Sequence, residues 1–208
     1  MAAAVSYNAV VSGKPLWLVA LNVQVACWVL FLALSAVIYV RAERERRSRG
    51  SDQGPAIRSA ASLWGLLLEL GALAIVWLIR RPSPHQVSPA WLAAAILLAP
   101  ASMALLVAAE IELGRQFRLK AVVASDHQLV TTGPYGIVRH PIYASLFGLI
   151  IANAMVVSRW EAAAAALVVL VIGTEIRVKV EDGLLARRFP GEFPKYRAAV
   201  RAYLPFLR

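Results

Sequence analysis

The sequence predicts an all-α integral membrane protein with about five transmembrane helices, folded as a single domain over residues 1–208. Three observations predict it. The chain is 60% hydrophobic and 16% charged, with a mean hydropathy of +0.64, whereas soluble domains carry about 45–50% apolar and about 25% charged residues. Apolar runs of helix-forming length alternate with short polar connections. The basic residues, which give a net charge of +10, fall between those runs and do not form one stripe. That layout is the pattern of topology signals and headgroup contacts, and it sets nucleic acid aside as a partner. The single cysteine, Cys27, lies in an apolar run. It excludes an internal disulfide and a cysteine-type metal site.

The first span is expected over 16–40, apolar apart from Asn22, Gln24 and Ser35. No basic region precedes it and it is too long for a signal-peptide core, so it reads as a retained helix. The charged stretch from Arg41 to Arg49 is expected to be a solvated loop that sets orientation. The second span, about 63–79, carries one ionisable residue, Glu69. An intramembrane carboxylate is costly, so it should face the bundle or a polar cavity. A structural hydrogen bond is the favoured reading of Glu69, and a place at a substrate site the other. Residues 80–89 form a proline-rich turn in which His85 reads as an exposed loop residue. The third span is expected at about 91–109, with Pro100 as a potential kink. The polar connector after it could continue the helix beyond the bilayer. Spans four and five, about 142–157 and 160–173, are separated only by Ser158-Arg159, so five should return antiparallel beside four. Both are short for a full crossing.

Lys plus Arg counted over alternate connections sum to 18 on one side and 4 on the other. By the positive-inside rule the N-terminus is outside, and the 110–141 segment and the C-terminal tail are both cytoplasmic.

The richest chemistry lies from His127 to Tyr143, a polar, turn-forming and aromatic segment between apolar runs. Gly133-Pro134 is a turn signal. Pro141 suits the first turn of the following helix and biases His140 toward extended backbone. Tyr135, Arg139, His140 and Tyr143 therefore stand at the mouth of a membrane helix. In the tail, Arg177 and Glu181 are four apart, on one face if the fifth helix continues, where the bland reading is a surface ion pair.

Leu129-Val-Thr-Thr-Gly-Pro-Tyr135 with Arg139-His-Pro-Ile-Tyr143, joined to Arg177, Glu181-Asp182, Phe189 and Tyr196 ahead of Leu204-Pro205-Phe206, resembles the isoprenylcysteine carboxyl methyltransferase family and the related phospholipid methyltransferases. The resemblance covers roughly the last 90 residues, and the hydropathy before them agrees with a five-span member. It implies methyl transfer from S-adenosyl-L-methionine, leaving S-adenosyl-L-homocysteine, at a cytoplasmic cofactor site built from the loop before the fourth helix and the tail. The acceptor it implies is lipophilic, foremost a carboxylate of isoprenylcysteine type, and the bilayer is the surrounding partner. No metal and no obligate protein partner are implied. The family pattern places cofactor contacts at Lys120, His127, Gln128, Leu129, Val130, Tyr135, His140, Pro141, Ile142, Tyr143 and Glu181. It associates Arg177 with the substrate. Arg177, Arg139 and His140 are expected nearest the reaction, since a guanidinium can hold an anionic acceptor by a bidentate pair.

Three positions depart from the family pattern. Asp182 stands where glutamate is usual, Phe189-Pro190 replaces Phe-Gly, and Phe193 replaces a tyrosine. Lys120 is also an uncomfortable neighbour for a sulfonium, and could reach the cofactor carboxylate instead. Two other readings stay open. Membrane sterol reductases carry a similar Arg-His-x-x-Tyr loop and use a nicotinamide cofactor, and a non-enzymatic membrane binding protein could retain the fold.

Overall fold

The computed structural model describes residues 10–11, 13–48, 60–82, 87–116 and 128–203. A two-stranded antiparallel hairpin, β1 (Val10–Val11) and β2 (Lys14–Pro15), precedes the helices. Among the described residues, five long α-helices and one short one follow. They are α1 (Leu16–Ser48), α2 (Ala60–Leu78), α3 (Pro89–Leu113), α4 (Pro141–Val157), α5 (Trp160–Arg188) and α6 (Phe193–Ala199).

The all-α architecture is as expected, but the helices extend past the predicted spans. Thirty-three residues make α1 about 50 Å long, beyond a hydrocarbon core of about 30 Å. The loop expected from Arg41 therefore begins as helix. Its residues are good helix formers, and Arg47 pairs with Glu43 one turn back at 2.9 Å. In α3, Ser88 accepts the Trp91 N–H as N-cap and Pro89 opens the first turn. The helix runs on through Pro100 and stops at Gly114, whose φ of 48° lets its N–H return to Glu110 and Ile111. Among the described residues, three helices hold stretches long and apolar enough to cross a membrane: Leu16–Glu45, Ala61–Leu78 and Pro89–Leu113. The apolar α4 is shorter, at 17 residues. In α5 the apolar part gives way after Gly173 to Glu175, Arg177 and Lys179 within the same helix.

The pairing of helices also departs from expectation. The short connection does make α5 antiparallel to α4, yet α5 packs chiefly along α2, while α3 packs along α4 and α1 along α3. Glycine explains the α2–α5 contact. A Cβ at Gly173 would stand 2.8 Å from the Gly65 carbonyl and 2.9 Å from the Leu68 side chain. One at Gly65 would meet the Gly173 carbonyl at 2.7 Å and overlap the Arg177 stem. Without a hydrophobic drive between helices in lipid, such close backbone approach is what holds a pair together. In the same way Gly148 of α4 receives Ser102 of α3. Ala72, Val76, Phe147, Ile150, Ala166 and Leu170 fill the space between α2, α4 and α5. Cys27, Ala99, Met103, Leu106 and Leu149 fill that between α1, α3 and α4. Buried Gln24 of α1 donates to the Ala95 carbonyl of α3 at 3.2 Å. The outward faces carry exposed Leu32, Leu63, Trp64 and Leu97, as lipid-facing surfaces should.

The tail does not leave the bundle. Arg139 and His140 donate their backbone N–H groups to the Arg201 and Ala202 carbonyls, each at 2.7 Å. Tyr203 stacks on Phe147 at 5.4 Å between ring centroids, and its hydroxyl donates to Glu175 at 2.6 Å. The loop before α4 and the tail after α6 are thus one structure.

Candidate active site

The site starts with the turn Gly133–Gly136, a single 3-10 turn whose glycine takes a φ of 56°. At that angle any side chain would be strained, and a Cβ would also touch Glu112. Thr132 donates to Glu112, tying the turn to the end of α3. Tyr135 is buried, and its carbonyl accepts the Tyr196 hydroxyl at 2.7 Å. Burial, with the nearby Glu181 charge, raises the Tyr135 pKa above its ordinary value. Burial likewise pushes Tyr196 to about 12, so both phenols stay protonated.

His140 leaves the helical region with φ −127° and ψ 64°, as a residue before proline should, and Pro141 opens α4. This delivers the imidazole between the two carboxylates of α5. Its Nε2 lies 2.9 Å from Asp182 and its Nδ1 3.4 Å from Glu181. Two ring nitrogens facing two carboxylates fit the doubly protonated form, the only one that donates from both. Burial opposes that charge, but the hydrogen bonds to Asp182 and Glu181 outweigh it and raise the His140 pKa. For Glu181 and Asp182, burial would raise the pKa, and the His140 contacts dominate and lower it. The three groups stabilise one another's charged forms.

Around this core lie the two arginines. Arg139 Nη2 donates to Asp182 at 3.1 Å, and Nη1 donates to the Val200 and Arg197 carbonyls. Arg177 Nη1 donates to Glu69 at 2.9 Å, and its other end stands 4.0 Å from Glu181. Its guanidinium covers the Tyr143 ring at 5.1 Å, a cation–π distance. The Tyr143 hydroxyl completes the ring of contacts by donating to Glu181 at 2.5 Å. Burial would lower the Arg177 pKa, but Tyr143, Glu69 and Glu181 raise it.

The structure brings together Tyr135, Arg139, His140, Pro141, Tyr143, Arg177 and Glu181 from the expected set. Lys120 and His127 lie outside the described residues, as do His85 and Leu204-Pro205-Phe206. Gln128 is exposed, and Leu129 and Val130 are half-buried on the approach to the turn. Ile142 packs toward the Cys27–Met103 cluster of α1 and α3, one residue out of phase with Tyr143. Glu69 proves to be an ion-pair partner: it bonds Arg177 and accepts the Thr174 hydroxyl at 3.3 Å. Two participants have roles that the motif does not announce. Asp182 holds both Arg139 and His140, although the four-residue spacing singles out only Glu181. Glu112 fixes the turn from a helix end that carries no motif.

The site can be tested against the cofactor that the resemblance implies. The Nε atoms of Arg139 and Arg177 are buried and have no hydrogen-bond partner among the described residues. Glu181 keeps about a quarter of its side chain exposed, 26%. Free guanidinium hydrogen-bonding capacity beside a reachable carboxylate fits a zwitterionic amino-acid end.

Residues 93–187 match the family model of the isoprenylcysteine carboxyl methyltransferase family. Among characterised proteins, the nickel-cobalt-cadmium resistance protein NccN of Alcaligenes xylosoxydans xylosoxydans is 41% identical over 81 residues, 38% of this chain and 37% of that protein. The cobalt-zinc-cadmium resistance protein CzcN of Cupriavidus metallidurans is 36% identical over 83 residues, 39% of this chain and 38% of that protein. The chain thus spans little over a third of the length of the curated relatives it matches. The family match covers α3, the turn, α4 and nearly all of α5, the elements that carry the clustered residues. Over residues 93–187, and in its loop and tail motifs, this chain is therefore similar to the isoprenylcysteine carboxyl methyltransferase family.

Proposed function

We propose that this integral membrane methyltransferase moves a methyl group from S-adenosyl-L-methionine to a lipophilic acceptor at the cytoplasmic membrane face, foremost a carboxylate of isoprenylcysteine type. The observation that carries the reading is the convergence of the family's loop and tail residues on one polar cluster, His140 with Glu181 and Asp182, flanked by Arg177. The cofactor, when bound, supplies an electrophilic methyl on a sulfonium. Glu181, partly exposed, is the acceptor for its amino group or a ribose hydroxyl. The Tyr135 and Tyr143 rings flank the adenosine. Arg177 holds the anionic acceptor through the part of its guanidinium not given to Glu69, and an acceptor already ionised requires no general base. His140 has both nitrogens committed to carboxylates, so its role is positioning: it fixes Glu181. Arg139 likewise clamps the tail to α5 through Asp182 and two carbonyls.

The two relatives' names speak of metal resistance and say nothing about the reaction. A nicotinamide-dependent reductase remains the competing enzyme reading. Radiolabelled S-adenosyl-L-methionine offered with an S-farnesylcysteine acceptor tests the proposal. A lipid-soluble product that releases label as methanol in base is expected, because carboxyl methyl esters hydrolyse there. Base-stable label would move the acceptor class to amines or thiols, and no transfer to any lipophilic acid would remove the carboxylate assignment.

A further inference from the structure

The opposite end of the bundle holds a cavity. It lies between the ends of α2 and α4 and the starts of α3 and α5, about 15–22 Å along α4 from His140. Its volume is about 580 Å³. Ile150, Ala154, Ala163 and Leu167 line its depth, and Arg81, Trp91 and Trp160 stand at its mouth. The two tryptophans are 60% and 74% exposed, and indoles in that position mark the headgroup level of a bilayer.

The charges at this end are one-sided. Among the described residues Lys14, Arg80, Arg81 and Arg159 face only one acid, Glu161. Two of the guanidiniums are committed: Arg80 donates to the Trp77 carbonyl at 2.7 Å and covers its ring, and Arg159 pairs with Glu161 at 3.2 Å. Arg81 differs. Its backbone N–H is pinned to the Val157 carbonyl at 3.0 Å, while its side-chain Nε is buried with no partner among the described residues. A buried donor left unmatched over an apolar slot calls for an amphiphile that ends in an acceptor.

We infer that this cavity binds an anionic phospholipid, its phosphate on Arg81 and one acyl chain along Ile150, Ala154 and Leu167, in the leaflet opposite the methyl-transfer cluster. The site is independent of the catalytic reading. Native mass spectrometry of the detergent-purified full chain, offered phosphatidylglycerol and phosphatidylcholine in equal amounts, tests it. Retention of phosphatidylglycerol is expected to exceed that of phosphatidylcholine about fivefold, the scale of one basic side chain at an anionic surface. Arg81→Gln should erase the preference and Arg80→Gln should keep it. Ala164→Trp, which fills the slot and leaves Arg81 in place, should lose both lipids, so the conclusion survives a folding defect in one variant. Excess inorganic phosphate should not displace the lipid. Equal retention of the two lipids, retention unchanged in both cavity variants, displacement by phosphate alone, or a dimer through this face that Ala164→Trp breaks would each overturn the assignment.

Discussion

Asp182 is where the physical account is most exposed to test. It is buried, and it neutralises Arg139 and the imidazolium of His140 together. Removing one partner of a buried charge cluster leaves the others desolvated and unpaired, at a cost of about 3 kcal/mol or more. Asp182→Asn is therefore expected to lower the thermal midpoint in detergent by several degrees, more than Glu192→Gln on the exposed surface. The pH dependence carries a definite sign. His140 has its pKa raised above 6.5 in the folded state, so its contribution is complete below that value and is lost as pH rises through the folded pKa. Glu181 and Asp182 are depressed below 4.5 and 3.8, so theirs is present above those values and is lost as pH falls through the folded ones. Stability should be greatest between roughly pH 4.5 and 6.5 and decline on the alkaline side. Thermal melts from pH 5 to 9 would show this, and in Asp182→Asn the alkaline decline should flatten. The residues legible in the sequence are those with local signals: Pro141 announces the shape of His140, and the Arg177–Glu181 spacing announces a shared helix face. Asp182 is not legible as a clamp, because its partners are 42 and 43 positions away in the chain and only the fold reveals them.

Among the elements, the α2–α5 pair decides the site's geometry. Gly65 and Gly173 let the backbones touch, and that contact delivers Arg177 to Glu69. Gly173→Ala would put a methyl 2.8 Å from a carbonyl and is expected to destabilise by about 1–3 kcal/mol. Gly183→Ala, in the same helix with nothing within 4 Å, should stabilise by about 0.5–1 kcal/mol through backbone entropy alone. Paired unfolding curves of the two variants would check both signs. Apolar run length locates all five long helices, and His140-Pro141 marks the start of α4, since both are local information. Where the helices end and which of them pair are less legible. Helix propensity and the Arg47–Glu43 pair carry α1 past Arg41, and α5 finds its partner in α2, because glycine contacts between distant helices leave no periodic trace.

At the scale of the whole molecule, the loop before α4 and the tail are joined by backbone hydrogen bonds and the Tyr203–Phe147 stack, so they lie on one side of the membrane. The charge asymmetry of 18 to 4 argues that this side is cytoplasmic. A reporter fused after Arg208 should be active in the cytoplasm, and external activity would reverse the orientation. The central claim is that the polar cluster is a site for S-adenosyl-L-methionine. Its most direct test is calorimetric titration of detergent-purified protein with S-adenosyl-L-methionine, S-adenosyl-L-homocysteine and NADPH, repeated on Glu181→Gln and Tyr135→Ala variants whose melting curves show them folded. The account predicts micromolar binding of the first two, weakened about tenfold or more by either substitution, and none of NADPH. Folded protein that binds neither S-adenosyl compound, or that binds NADPH instead, would contradict it.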